Sequence, residues 1–153
     1  MKDLSITPLQ PLDSPALAAL IAAEPPGYLQ HFTPFDFAAD RLHQLLTAVQ
    51  QDRFWAVRVA DQLAGFFMLR GWDDGFARPS FGIYISSQFS GRGLARLALQ
   101  YSLTWCRLND VAAVMLKVDP TNEPARRLYL NAGFTDLDVC PRTGHQIMEK
   151  RGS

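Results

Sequence analysis

Two short stretches of this sequence carry residue types from which a reaction can be built. The first is Ile83-Tyr84-Ile85-Ser86-Ser87-Gln88-Phe89-Ser90-Gly91-Arg92-Gly93-Leu94-Ala95, where an alternating apolar run gives way to Gly-x-Gly and then to helical periodicity. A strand that turns into a helix on two glycines leaves the first backbone N–H groups of that helix without partners, at the positive end of its dipole. Glycine lets a ligand approach the backbone closely. The segment is therefore a candidate cradle for a phosphate or pyrophosphate, or a plain tight turn. It lacks the Gly-Lys-Ser/Thr ending of a Walker loop. Arg96 stands where a dinucleotide fingerprint needs glycine or alanine.

The second stretch is Asn122-x-x-Ala125-x-x-Leu128-Tyr129-x-x-x-Gly133-Phe134. Pro120-Thr121-Asn122 opens a helix and Gly133 closes it, after about Ala132. Asn122 and Tyr129 then share one face, about 10 Å apart along the axis. Ala125 between them is small enough to let something lie alongside. Asn122 is also an apt helix cap and Tyr129 an apt packing aromatic.

The elements that must position these stretches follow from periodicity. Residues 3–10, with Leu4 and Ile6 alternating, read as a first strand. Asp13-Ser14-Pro15 is a helix start, Leu17, Leu20 and Ile21 its apolar face, and Pro25-Pro26-Gly27 its stop. Residues 28–35 form an aromatic loop, and Asp36 can cap a second helix carrying Phe37, Leu42, Leu45, Leu46 and Val49. Residues 53–60 and 63–70 read as a hairpin around Asp61-Gln62, with Gly65 marking a bulge or a close approach. Residues 71–79 are loop and 80–86 strand. Leu94, Leu97, Ala98, Tyr101, Trp105 and Leu108 give an amphipathic helix over 92–108. Residues 111–118 are dense enough to form a central strand buried on both faces. Residues 134–140 and 145–150 read as final strands, so the order is β-α-α-β-β-β-α-β-α-β-β.

Composition bounds the function. The chain has 153 residues, which predicts one domain over 1–153. Apolar residues make up 48% and charged residues 20%, the balance of an ordinary globular protein. Fifteen basic and fifteen acidic residues cancel, which gives no bulk charge for a nucleic-acid partner. That balance hides a skew, −4 over residues 1–52 and +4 over the remainder, and a mildly basic remainder suits a phosphorylated ligand. Cys106 and Cys140 are too few for a disulfide framework. No apolar run is long enough for a membrane span, and the first residues do not read as a signal peptide. A cytoplasmic location and no membrane partner are the expectation.

In this order and context, the two stretches resemble the GNAT superfamily of N-acetyltransferases. The glycine turn is similar to that family's acetyl-coenzyme A signature, Gln/Arg-x-x-Gly-x-Gly/Ala, read here as Ser90-Gly91-Arg92-Gly93-Leu94-Ala95, with Ser90 at the position of the usual Gln or Arg. The second stretch matches the family's Asn-x-x-Ala-x-x-Leu-Tyr-x-x-x-Gly-Phe at every named position. The resemblance covers residues 53–150 well and 1–52 loosely. It implies an α/β (α+β) fold: a mixed, mostly antiparallel central sheet of about six or seven strands flanked by about four helices, splayed between the fourth and fifth strands.

The same resemblance implies acetyl-CoA as cosubstrate, with no metal, and acetyl transfer to an amine by direct attack on the thioester. Backbone groups of Ile83 and Ile85 would bind the pantetheine arm, and the N–H groups from Ser90 to Ala95 the pyrophosphate, with Arg92 or Arg96 adding charge. Asn122 and Ala125 would line the cofactor, and Tyr129 would act as general acid on the leaving sulfur. Some members carry a glutamate five residues before the asparagine as base; Lys117 occupies that position here. Asp119, Asp73, Asp74 and His31 are the candidate bases. Tyr28, His31, Phe32, Phe35, Trp72, Asp73, Asp74 and Phe76 are candidate walls of an acceptor pocket, and the Asp73-Asp74 pair would favour a cationic amine or amino sugar. The expected partner is a small-molecule amine (amino sugar, amino acid or polyamine), with a protein or peptide amine as an alternative acceptor. A non-catalytic coenzyme A-binding sensor is the reading from another class. A monomer or homodimer fits equally.

Overall fold

The computed structural model describes residues 1–30, 32 and 34–152. Its elements follow the expected order: β1 (Leu4–Pro8), α1 (Ser14–Ala22), α2 (Ala39–Ala48), β2 (Arg53–Val59), β3 (Gln62–Arg70), β4 (Ser80–Ile85), α3 (Leu94–Leu108), β5 (Ala113–Val118), α4 (Glu123–Asn131), β6 (Thr135–Val139) and β7 (Gln146–Arg151). The strands form one seven-stranded sheet in the order β1-β2-β3-β4-β5-β7-β6. The pairings are antiparallel except that of β4 with β5, which is parallel and is registered at Ser80↔Met115 alone. The expected splay between the fourth and fifth strands is thus present.

The sheet is buried on both faces by different helices. In β3 the run Leu63–Leu69 is buried throughout, and adjacent residues point to opposite faces. Phe67 and Leu69 join Leu99, Leu103, Leu116 and Phe134 in a core beneath α3 and α4. Phe66 and Met68 join Leu17, Leu42 and Leu46 beneath α1 and α2. Among the described residues, no helix is long and apolar enough to cross a membrane.

Several local expectations shift. The β2–β3 turn is Ala60-Asp61, both with positive φ (51° and 63°), and not Asp61-Gln62. Two positive-φ residues give the primed turn whose twist matches paired strands, and Gln62 is thereby drawn into β3 opposite Val59. Asp13 precedes α1 but does not cap it with its side chain. Its carboxylate instead accepts from the Gln10 N–H at 2.7 Å and from Arg58 at 2.8 Å. Asp36 accepts from the Ala38 N–H at 2.9 Å, so its turn precedes α2, which begins at Ala39. β5 is not buried on both faces: Val114, Leu116 and Val118 are buried, Met115 is half-buried and Lys117 is exposed. The face of β5 that carries Lys117 opens where β4 has drawn away.

Gly65 is a close approach. A Cβ there would stand 2.1 Å from the Tyr84 carbonyl oxygen, a backbone atom that cannot swing aside. Gly65→Ala is expected to destabilise the fold by about 1–3 kcal/mol through overpacking, read from urea denaturation. An unchanged midpoint would mean that β3 and β4 can separate there without cost.

Candidate active site

β4 has a bonded side and an open side. The Ser86 N–H donates to the Ala64 carbonyl at 2.8 Å, and the Met115 N–H donates to the Pro79 carbonyl at 3.0 Å. Backbone groups alternate sides along a strand. Even-numbered residues of β4 therefore bond to β3, and odd-numbered ones face β5. Pairing with β5 is registered at Ser80↔Met115, so Ile83 and Ile85 direct their N–H and C=O groups into the gap. The Ile85 carbonyl accepts from the Tyr28 hydroxyl at 2.6 Å.

The chain leaves β4 through Gly91 and Gly93, both with positive φ (75° and 86°), and enters α3. Around neither glycine does a heavy atom of the described residues lie within 4 Å of where a Cβ would stand, so the space beside the turn is open to them. The first helical bond runs from the Leu97 N–H to the Gly93 carbonyl, and no side chain caps the helix. The N–H groups of Leu94, Ala95 and Arg96 are therefore left at the positive end of a 15-residue helix. That arrangement fits a pyrophosphate.

Two cavities meet here. One of about 430 Å³ is lined by Ile83, Ile85, Ser90, Gly91, Gly93, Leu94 and Ala95 among others. The other, about 1200 Å³, runs on past Ala125, Tyr129 and Asp119. They share Tyr28, Phe32, Ile83, Gly91, Gly93, Ala95 and Asn122, and so form one cleft through the splay.

Tyr129 lies in the wall of that cleft. Its ring packs edge-on against Phe81 and Phe134, with centroids 6.4 and 6.0 Å away. Its hydroxyl makes no hydrogen bond among the described residues. Burial pushes its pKa up to about 12, so the phenol holds its proton at neutral pH. Asn122 caps α4, its side-chain oxygen accepting from the Ala125 N–H at 3.3 Å. This capping does not remove it from the cleft wall.

The loop over residues 71–79 does not join the cleft. Asp73 accepts from the Gln50, Gln51 and Asp52 N–H groups, and Asp52 in turn accepts from the Gly71 and Asp73 N–H groups. This reciprocal clamp ties the loop to the start of β2. Trp72 is directed onto Trp105 of α3, with ring centroids 6.0 Å apart. Phe76 is exposed, and neither it nor Asp74 lines the cleft. Arg92 is exposed and outside both linings, whereas Arg96 lines the larger cavity. Phe35 packs with Phe37, Phe54 and Phe66 in the core beneath α1 and α2. His31 lies outside the described residues.

Sequence reasoning overlooked several cleft residues. Arg70, Arg142, Thr143 and His145 all line the larger cavity. Arg70 could have been found, because it continues the alternating face of Phe66 and Met68 to the end of β3. The β6–β7 loop that carries Arg142 shows no such pattern. Glu24 was also missed. It accepts from the Tyr84 hydroxyl at 2.6 Å, the Ser87 hydroxyl at 2.6 Å and the Ser87 N–H at 3.1 Å, which anchors the end of α1 to the exit of β4.

The acetyltransferase (GNAT) domain family matches residues 3–135. No curated protein matches the sequence. Solved structures do. The ribosomal-protein-S5-alanine acetyltransferase from Vibrio fischeri superposes with a TM-score of 0.80 at 15% identity, over 97% of this chain and 92% of that one. The PaiA N-acetyltransferase from Thermoplasma acidophilum, in complex with coenzyme A, gives 0.78 at 15%, over 98% and 99%. A spermidine N-acetyltransferase chimera from Vibrio cholerae and hSSAT gives 0.76 at 20%, over 97% and 95%. At these identities the likeness is one of fold.

Burial raises the pKa of the Glu24 carboxyl, but the hydrogen bonds from Ser87 and Tyr84 outweigh it, so the group titrates below its ordinary 4.5. A lowered native pKa contributes stability above the unfolded value, and that stability is lost as pH falls through the native one. Glu24→Gln should therefore be less stable than the parent near neutral pH, with the gap closing as pH falls below 4.5. Urea melts across pH check this; a gap constant in pH would contradict it.

Proposed function

The chain belongs to the GNAT family of acetyltransferases, and on that footing we propose that it transfers the acetyl group of acetyl-CoA to the primary amine of a small molecule. The observation that carries the reading is a continuous cleft with an open helix N-terminus at one end and an unbonded, protonated Tyr129 hydroxyl in its wall. When bound, acetyl-CoA supplies the activated acyl group as a thioester.

Each protein group has a stated task. The Leu94–Arg96 amides and the two glycines hold the diphosphate. The Ile83 and Ile85 backbone groups pair with the amides of the pantetheine arm, as a neighbouring strand would. For Ile85 this requires the Tyr28 hydroxyl to yield the carbonyl it now holds. As the C–N bond forms and the C–S bond breaks, the sulfur needs a proton and the nitrogen must lose one. The Tyr129 hydroxyl gives its proton to the sulfur. Its raised pKa keeps it in the donating form, and solvent restores the proton afterwards.

The acceptor arrives almost wholly as ammonium, since an alkylamine with a pKa near that of lysine is free in fewer than about one molecule in a thousand at pH 7. Of the described candidate bases, Asp119 is the one that lines the cleft. One of its oxygens accepts from the Thr121 N–H at 2.9 Å and hydroxyl at 2.8 Å, which fixes the carboxylate in place. Asp119 accepts the ammonium's first proton, which frees the amine to attack, and passes it on to solvent; the second, shed by nitrogen as the C–N bond forms, also goes to solvent.

Tyr129→Phe is expected to lower kcat by about 100-fold to 10,000-fold while leaving the Kd for acetyl-CoA within about threefold. Thiol release and calorimetry measure the two. A variant with full turnover would remove Tyr129 from the chemistry, and a chain with uptake but no turnover on any amine would be a sensor. Asp119→Asn should lower kcat/KM near neutral pH by about tenfold or more, with the deficit shrinking as rising pH frees the amine. A deficit equal at every pH would assign Asp119 to positioning.

A further inference from the structure

The cleft is charged far out of proportion to the chain. Fifteen basic residues balance fifteen acidic ones overall. Yet the larger cavity is lined by Arg70, Arg96, Lys117, Arg127 and Arg142 against Asp119 alone among the described carboxylates. Arg96 in α3 and Arg127 in α4 flank the glycine turn and Asn122, where the phosphates of the cofactor account for them. The other three come from β3, β5 and the β6–β7 loop, and need another explanation.

The strand register sets Arg70 apart from the phosphate end. Arg70 pairs with Ser80 at the start of β4, whereas the glycine turn follows the far end of that strand. Five steps along a strand span roughly 17 Å. Arg70 shares the sheet face of Phe66 and Met68, which pack beneath α1 and α2. Lys117 lies on that same face, because Leu116 and Val118 on either side of it enter the opposite core.

The Arg70 guanidinium is held in readiness. It donates to the Pro34 carbonyl at 3.1 Å and lies 4.9 Å over the Phe35 ring. Among the described residues, none of Arg70, Lys117 and Arg142 forms an ion pair with a carboxylate. Three like charges gathered in one cleft repel one another, and a bound anion relieves that repulsion. An incoming polycation would add to it.

We infer that the acceptor carries an anionic group, a carboxylate or a phosphate, beside the amine that is acetylated. Arg70, Lys117 and Arg142 hold the anion and Asp119 faces the ammonium end. This inference rests on the acetyl-transfer reading and narrows it: amino acids and phosphorylated amines fit, and polyamines do not. It also reverses the expectation from Asp73-Asp74, whose loop lies outside the cleft.

Matched pairs of amines that differ by the anion alone test this by thiol release from acetyl-CoA. An α-amino acid against its methyl ester examines the carboxylate. Ethanolamine against its O-phosphate examines the phosphate. Spermidine serves as the polycation. One anionic member is expected to exceed its uncharged partner in kcat/KM by about tenfold to a hundredfold, the worth of a charge-assisted hydrogen bond. Arg70→Gln should raise the KM for that acceptor by a similar factor and leave the KM for acetyl-CoA within about twofold. Should loss of the Pro34 bond unfold that variant, Lys117→Gln and Arg142→Gln carry the same test, since both side chains are exposed. If the ester, ethanolamine or spermidine is used as well as or better than the anions, the inference falls and acetyl transfer stands. If no amine releases thiol and calorimetry finds no uptake of acetyl-CoA, both fall.

Discussion

Among the described residues, β4 pairs on one side with a neighbouring strand at its first residue alone. Six residue pairs join it to β3, and a single pair joins it to β5. Backbone N–H and C=O groups are obligatory hydrogen-bonding groups, and they go without protein partners only where solvent or a ligand reaches them. A half-paired strand inside a sheet is therefore a statement about what must come and lie beside it. An extended chain bearing amides meets that need, as an added strand would. The glycine turn sits at the end of this unpaired edge, so the edge leads directly to the uncapped start of α3, whose amides suit a diphosphate.

The gap is held open by competing attachments. β5 makes six pairs with β7 and follows it away from β4. At the other end the two halves are fastened: Arg78, just before β4, forms an ion pair with Glu149 of β7, and Glu149 lies across from Met115, the one residue of β5 registered with β4. The strands thus meet at one end and diverge toward the other, in line with the twist of a sheet. Glu24 secures the diverging end by tying α1 to Tyr84 and Ser87. The cleft is lined from both faces of the sheet, by Met68 and Arg70 on one and by Ala125 and Tyr129 on the other.

Charge is divided along the same line. One end presents backbone amides and the guanidinium of Arg96, which suits phosphates. The same cavity is also lined by cations from three further elements that are distant in sequence, Arg70, Lys117 and Arg142. The chain's neutrality conceals this, because many of its carboxylates are spent elsewhere. Asp13 holds Arg58, Asp136 holds Arg126, and Asp52 and Asp73 bind backbone N–H groups. What remains facing the cleft is mostly positive.

Element types, their order and the two motif-bearing segments were legible in the sequence because they rest on local physics. Alternation marks β2 and β3, a period of 3.6 marks α3, and glycine marks the turn where φ must be positive. The close approach at Gly65 was legible for the same reason. The β2–β3 turn moved by one residue because the two positive-φ positions are Ala60 and Asp61, and Asp13 kept its place before α1 but gave its carboxylate to Gln10 and Arg58. That the 71–79 loop lies outside the cleft could not be read from the sequence, for a deeper reason. Whether Asp73 faces a substrate or a backbone N–H depends on where Gln50–Asp52 lie, and whether Arg70, Lys117 and Arg142 meet depends on strand pairings between segments dozens of residues apart. The sequence by itself determined the strands, the helices and the glycine turn that opens α3, since each follows from neighbours along the chain. Only the tertiary structure decided which charges converge on the cleft, because long-range register, and not local preference, sets which side chains share a space.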